Sequence, residues 1–342
     1  VVICEFRVKR KSSFSTFEHM ENEAQFPVLI TGISGFIGSS VARALMDAGK
    51  EVWGVDEFES TDKFVNWKNL PFARRIHRDE MVQVLQREKP NFSVVLHLGA
   101  RTDTRERNPL VFEELILKPS RFLWEYCTEN QIPLVYASSA ATYGNGEQGY
   151  SDEHTQVEHL DPLNAYAAAK HQFDRLALSS VKTPPVWYGL KFFNVYGPGE
   201  SHKKGMASVL FHGYNQIVST GGIRLFESAR ESVSHGEQKR DFVWIGDVVS
   251  VIQWIVASGA PSGLYNLGSG VARSFNDLAF ALFGALGVSP VIEYIPMPAD
   301  LVANYQYYTC AEMGKLRAAG YTAPFTDLER GAERYLAYLS GK

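Results

Sequence analysis

PVLITGISGFIGSSVARALMDAG, residues 27–49, decides the fold. PVLITG (27–32) is an apolar run of strand length, and FIGSSVARALMDAG (36–49) carries its apolar residues at helical spacing until Gly49 stops it. Gly32, Gly35 and Gly38 lie between and across the two elements as G-x-x-G-x-x-G. Glycine permits a tight strand-to-helix turn and lets the backbone approach a pyrophosphate at the helix N-terminus, where unpaired N–H groups favour anions. The spacing departs from G-x-G-x-x-G, but the strand, loop and helix follow in the order a nucleotide site needs. No Gly-Lys-Ser/Thr closes the loop, which argues against a phosphate-loop NTPase.

Outward from this stretch, the chain alternates. EVWGVD (51–56) reads as a strand, DEMVQVLQRE (79–88) as a helix and SVVLHLGA (93–100) as a strand covered on both faces. A helix over about 109–129, the strand PLVYASSA (133–140), a helix around 163–179 and the strand VWYGLKFFNV (186–195) continue the pattern. This repetition predicts an α/β protein with a Rossmann-like doubly wound parallel sheet. After Pro198 the rhythm breaks into a helix near 203–219, a short IRLF strand and the polar ESARESVSHGEQ (227–238). It resumes with RDFVWIGDVVSVIQWIVAS (240–258) and GLYNLGSG (263–270), then a helix at 274–286, the strand PVIEYIP (290–296) and a helix near 326–339. The expected organisation is a nucleotide-binding domain over 27–195, completed by about 240–270. Residues 196–239 and 271–342 form a smaller α/β lobe, and 1–26 a weakly structured extension.

A length of 342 residues suits this two-part plan. A net charge of -4 gives no sign of nucleic-acid binding. Three scattered cysteines, Cys4, Cys127 and Cys310, argue against a disulfide framework and a thiolate metal cluster. No apolar run reaches 18 residues, so no membrane span is expected.

Two further segments carry chemistry. Asp56 ends the second strand, where a carboxylate commonly binds the adenosine ribose of NAD; Lys63 and Arg78 could offset it beside the 2′-phosphate of NADP. The residues alone leave the choice open. YASSAATYG (136–144) ends a strand in small hydroxyl residues, and NAYAAAK (164–170) puts Tyr166 and Lys170 one helical turn apart. An ammonium near a phenol stabilises phenolate against its reference pKa of about 10. Lys170 can also hold the nicotinamide ribose, and Ser139 can hydrogen-bond the substrate oxygen whose proton moves.

The ordered set TGxxGFIG, YASSAATYG, YxxxK and FFNVYGP resembles the extended short-chain dehydrogenase/reductases. TDKFVN (61–66), HKKGMASVLFH, GEQKRDFVW, YNLGSGVARSFNDLA and LRAAGYTAPF narrow the likeness to the ADP-glyceromanno-heptose 6-epimerase family, from about residue 28 to the last helix. The resemblance implies a cytoplasmic homo-oligomer, a pentamer in this family, that holds NADP tightly and acts on an ADP-heptose nucleotide sugar in lipopolysaccharide precursor synthesis. It implies cofactor contacts at Phe36, Ile37, Asp56, Glu57, Lys63, Arg78, Leu98, Gly99, Ala100, Arg101, Thr102, Lys170 and Val195. Substrate contacts fall on Ser139, Asn194, Gly205, His212, Phe226, Arg240 and Tyr305. Arg240 also makes independent sense, because a guanidinium meets a diphosphate bidentately.

Inverting a hydroxyl-bearing carbon requires a step in which that carbon loses its configuration. A nicotinamide that takes hydride from C6 and returns it to the opposite face does this without net oxidation. One fixed phenol serves one face, so a second acid/base is needed across the ketone. The resemblance assigns that role to Lys203, with Lys204 as a solvent- or phosphate-facing neighbour. The sequence departs from the family at Gly199, Lys204, Gly205, Arg101 and Leu115 or Ile116, none of which removes Ser139, Tyr166 or Lys170. Two alternatives stand beside this expectation. One is another NAD(P)-dependent nucleotide-sugar epimerase, dehydratase or reductase, although Ala140, Ala141 and Thr142 leave no acid beside Ser139 for a dehydratase. The other is a non-catalytic NADP sensor, which would have no need of Tyr166 and Lys170.

Overall fold

The computed structural model describes residues 26–302 and 305–341. Of the extension expected over residues 1–26, residues 1–25, with Cys4, lie outside the described residues. The apolar run after Phe26 forms β1 (Val28–Thr31), whose four residues are all buried because helices cover both faces of the sheet it enters. With β2 (Val52–Asp56), β3 (Arg74–His77), β4 (Val94–His97), β5 (Leu134–Ser139), β6 (Trp187–Phe192) and β10 (Gly263–Leu267) it makes a seven-stranded sheet in the order β10-β6-β5-β4-β1-β2-β3. Every pairing is parallel. The strand β3, RRIH, escaped the sequence reading: two arginines and a histidine with one buried Ile76 carry no apolar run.

The strand order reverses at β1, which pairs with β2 on one side and β4 on the other. Chains leaving β1 and β4 diverge there and leave a crevice at the carboxyl ends of the strands, the ordinary place for a ligand in such a sheet. At this point the backbone of Gly32 meets that of Gly99.

The expected helix over 109–129 is present but not regular. Helical segments Pro109–Phe112 and Lys118–Glu129 flank a π-helical turn at Glu113–Leu117. Pro119 supplies no N–H to the ladder, and a widened turn just ahead of it absorbs the loss. The expected strand 186–195 divides at Phe193 into β6 and β7 (Asn194–Tyr196). Phe193 turns its N–H to Leu267 O of β10 while Asn194 pairs with Phe242 of the next sheet.

The remaining strands make two small sheets. β11 (Ala272–Ser274), β9 (Lys239–Trp244) and β7 form one, and β12 (Ile292–Ile295) with β8 (Ile223–Phe226) the other. The helix expected over 203–219 is two elements, a 3-10 turn at Ser201–Met206 and the α-helix Val209–Thr220. Ser208 starts the second by accepting from Phe211 N at 3.2 Å. No described helix is long and apolar enough to cross a membrane.

Candidate active site

The glycine loop fits a pyrophosphate. Gly32 has φ +71°, and a Cβ there would lie 2.5 Å from Gly99 Cα, so only glycine allows β1 and β4 to close the crevice. A Cβ on Gly38 would come within 2.1 Å of Gly32 O, which keeps the helix Phe36–Asp47 tight against the loop. Gly35 stands at the helix N-cap in extended conformation without a side-chain cap, leaving first-turn N–H groups for an anion. The buried Ser34 Oγ in the same loop has no partner. Phe36 is buried and Ile37 half-buried in the first helical turn.

Asp56, at the end of β2, is 7% exposed and turns inward. Its Oδ2 accepts Ser34 N at 2.9 Å, and its Oδ1 accepts Glu57 N at 2.8 Å and Lys63 Nζ at 3.3 Å. The carboxylate therefore braces the glycine loop and carries its own counter-charge. Arg78 pairs with Glu57 at 3.0 Å, which places a second cation on the same rim. Leu98, Gly99 and Ala100 are half-buried after β4, while Arg101 and Thr102 are exposed. Arg101 turns toward Asp103 at 3.6 Å. At the departure from the family expected in the helix after β4, Ile116 is fully buried in the core and Leu115 half-buried.

Asn164 caps the helix Ala165–Ser179 by accepting Ala167 N at 2.9 Å. From that start, Tyr166, Lys170 and Asp174 recur every four residues on the face against the sheet, at 9%, 4% and 0% exposure. Lys170 Nζ donates to Ala137 O at 2.6 Å. Burial brings its pKa down to about 8, with Asp174 opposing the fall. Burial raises the Tyr166 phenol above its ordinary value, and the Ser139 hydroxyl pulls the other way. Ser139 Oγ accepts Ala141 N at 3.1 Å, which keeps its own proton available to donate. His97 faces the same site from β4, bonded to Thr31 Oγ1 at 2.7 Å and Ser120 Oγ at 2.9 Å. Burial and the Lys170 charge depress its pKa to about 3, so it stays neutral.

The two lysines after the Gly-Pro turn part company. Lys203 is drawn in, its ammonium 5.5 Å from the Phe36 ring centroid, and burial lowers its pKa against the pull of Glu200. Lys204 points out and pairs with Asp62 at 2.7 Å. Its backbone has φ +49° and ψ -126°, strained for any residue with a Cβ. Two residues that sequence reasoning missed set this turn. Glu200 is fully buried and accepts Ser208 N and Ser208 Oγ at 2.6 Å each, closing the loop at its base. Asn66 Nδ2 reaches Ser34 O (3.2 Å), Gly199 O (2.9 Å) and His202 Nδ1 (3.2 Å), tying the turn to the glycine loop. Asn66 lies in the TDKFVN segment, but nothing in the spacing of that segment shows what Asn66 bridges.

In the smaller lobe, Arg240 is 8% exposed and donates Nη1 to Lys239 O at 2.9 Å. Its guanidinium lies 5.0 Å from the Tyr305 ring and 5.7 Å from that of Phe275, and no described carboxylate pairs with it. A buried cation without a counter-ion is costly, and an incoming anion relieves that cost. His212 Nε2 is buried without a partner, and Phe226 is half-buried at the end of β8. Val195 is half-buried, and Asn194 and Gly205 are exposed. Asp241, beside Arg240, was also missed; it accepts Ser269 N, Gly270 N and Ala311 N at 2.6–2.9 Å and fixes the strand that carries the arginine.

The comparisons with known proteins agree with this geometry. The family model described as the NAD dependent epimerase/dehydratase family matches residues 28–268. An ADP-L-glycero-D-manno-heptose-6-epimerase of Fusobacterium nucleatum is 40% identical over 320 residues, covering 90% of this chain and 96% of that protein. The enzyme of the same name from Nitratidesulfovibrio vulgaris is 41% identical over 311 residues, with 90% and 96% covered. The crystal structure of Helicobacter pylori ADP-L-glycero-D-manno-heptose-6-epimerase superposes with a TM-score of 0.79 at 29% identity, covering 94% of this chain and 98% of that one. On this sequence and fold evidence, the chain belongs to the NAD dependent epimerase/dehydratase family, in its ADP-L-glycero-D-manno-heptose-6-epimerase branch.

Proposed function

We propose that the protein epimerises C6 of the heptose in ADP-glycero-manno-heptose, using a retained NADP. The observation that carries this reading is the placement of Lys203: a lysine turned inward beside the glycine-loop Phe36, with its pKa lowered, next to a lysine that faces solvent. A simple reductase has no need of a second proton-handling group there. The glycine cradle, the orphaned Ser34 hydroxyl and the carboxylate–lysine pair at the end of β2 support a nicotinamide dinucleotide. Asp56, already turned onto the loop and onto Lys63, with Arg78 beside it, supports NADP over NAD.

The glycine loop, with Asp56, Lys63 and Arg78 on its rim, would hold the nicotinamide dinucleotide, which would supply reversible hydride transfer at C6. The chain's own residues handle the proton and the pose. Arg240, beside Tyr305, takes the diphosphate, with His212 and Phe226 lining the sugar-nucleotide side. Lowering the Lys203 pKa increases the free amine that accepts the hydroxyl proton, and raising that of Tyr166 keeps a phenol ready to protonate the ketone oxygen from the other side. Ser139 donates to the same oxygen. Lys170 holds the ribose, while burial, rather than the Lys170 charge, sets the protonation of the Tyr166 phenol.

Incubation with ADP-D-glycero-D-manno-heptose, followed by NMR of the C6 configuration, tests the reading. Conversion to the L-glycero epimer is expected, and an unchanged substrate with cofactor bound would overturn it. Mass analysis of the nucleotide released on denaturation is expected to give NADP; NAD alone would remove that part. Sedimentation is expected to show a homo-oligomer, a pentamer on the resemblance.

A further inference from the structure

Lys191 and Asp174 form an ion pair of 2.7 Å with both side chains fully buried. A buried pair of this kind often stabilises a fold no more than well-packed apolar residues would, so stability alone does not account for it. Its partners suggest what it does. Tyr136 OH donates to Asp174 Oδ1 at 3.0 Å, and Ser138 Oγ and Lys191 Nζ donate to Oδ2 at 2.7 Å each. Lys191 Nζ also donates to Thr142 Oγ1 at 2.7 Å and stands 5.0 Å from the Tyr143 ring.

Each contact falls beside a catalytic position. Ser138 precedes Ser139, and Ala137, whose carbonyl holds Lys170, lies between Tyr136 and Ser138. Thr142 lies in the 3-10 turn that follows Ser139, and Asp174 is one helical turn beyond Lys170. One ion pair thus ties β5, β6, the 3-10 turn and the helix Ala165–Ser179 into a unit behind Ser139, Tyr166 and Lys170. We infer that Lys191 and Asp174 are positioning residues for this trio, and that the Asp174 carboxylate, one turn from Lys170, is the negative charge that keeps Lys170 an ammonium. The inference rests on the epimerase reading only for its kinetic consequence.

The groups around this face are few. Neutral His97 looks at Lys170 from β4, Tyr136 and Lys191 come from β5 and β6, and Tyr143 from the 3-10 turn. Tyr166, His171 and Asp174 share its helix. Among the described residues Asp174 is the carboxylate that opposes the effect of burial on Lys170, so its removal should lower the Lys170 pKa further. Removing Lys191 instead leaves that carboxylate in place.

The test uses full-length protein labelled with 13Cε-lysine, with the Lys170 signal assigned through Lys170→Met and titrated by NMR. The Lys170 midpoint is expected to fall by about one pH unit in Asp174→Asn and in Asp174→Asn/Lys191→Met, but not in Lys191→Met. The double variant removes both members of the buried Lys191–Asp174 pair, leaving neither of them without its partner, so it keeps the test open if a single variant does not fold. The alkaline limb of kcat/KM for epimerisation should move with the Lys170 midpoint, and Lys191→Arg should restore the rate lost in Lys191→Met. An unmoved Lys170 midpoint in the double variant, or an equal fall in Lys191→Met, overturns the inference. A shifted midpoint in a protein that does not epimerise ADP-heptose overturns the functional reading and leaves the inference standing.

Discussion

Replacing Lys203 by methionine removes an amine and keeps nearly the same chain length, so the contact with the Phe36 face is preserved in shape. If Lys203 exchanges the proton on one face of the ketone, its loss should lower kcat by about 10²–10⁴, or about 3–5 kcal/mol of barrier. Folding should survive, because Lys203 makes no ion pair among the described residues and the turn is held elsewhere, by Glu200 on Ser208 and Asn66 on His202. Bound cofactor should survive too, since the glycine loop is braced by Asp56. Lys204→Met is the control: its ammonium is exposed on Asp62, and it should change the rate little. The pH dependence has a definite sign. Burial lowers the Lys203 pKa and Glu200 opposes this, so Glu200→Gln should lower it further and extend proton acceptance to lower pH. The assay is steady-state epimerisation at matched cofactor occupancy, with circular dichroism as the check on folding. A near-normal Lys203→Met, or a crippled Lys204→Met beside it, refutes the assignment.

Arg240→Lys should raise KM for the nucleotide sugar by about 10–100-fold with a smaller effect on kcat, because a lysine cannot make the bidentate contact with a diphosphate; equal losses in kcat and kcat/KM would place Arg240 at the reacting centre instead. Gly32→Ala puts a Cβ 2.5 Å from Gly99 Cα and should yield protein that is destabilised and free of nucleotide, visible as a lower Tm and no cofactor absorbance. Epimerisation in deuterated water should leave C6 without deuterium by mass spectrometry, since the hydride never meets solvent; label at C6 would favour enolisation or elimination.

Most of the sheet was legible because its strands are buried on both faces and read as apolar runs between helical periods. β3 was hidden for the opposite reason: at the edge of the sheet, RRIH buries only Ile76. The division of 203–219 was hidden because its cause is long-range within the loop. Glu200 must fold back on Ser208 before the α-helix can start, and no local propensity records that contact. The structure places Ser139 at the end of β5 and Tyr166 and Lys170 one turn apart on the helix Ala165–Ser179, a placement the sequence spacing already indicates. Asp174 continues that period to the next turn, so the YxxxKxxxD pattern contained the signal. Lys191, in a strand that otherwise reads as apolar, showed its meaning only when β6 was placed beside β5.

The departure at Lys204 falls on a strained backbone position. The turn demands φ +49° at this residue, a conformation that glycine adopts freely and lysine does not. The sequence supplies glycine one position later, at Gly205, and the strained residue is instead held by its side chain on Asp62, next to Lys63, which pairs with Asp56 at the end of β2. The strain and the ion pair act on one backbone segment, the segment that aims Lys203 inward. Lys204→Gly should therefore relax the backbone and keep or raise Tm, while freeing the turn from Asp62. If the Asp62 pair aims Lys203, the same substitution lowers kcat although it removes no catalytic group; if the Asn66 and Glu200 contacts suffice, kcat is unchanged. The hydrogen-bond geometry favours the second outcome, because Asn66 and Glu200 grip the turn on both sides of Lys203 through buried or half-buried groups, whereas the Lys204–Asp62 pair lies in solvent, where it is screened.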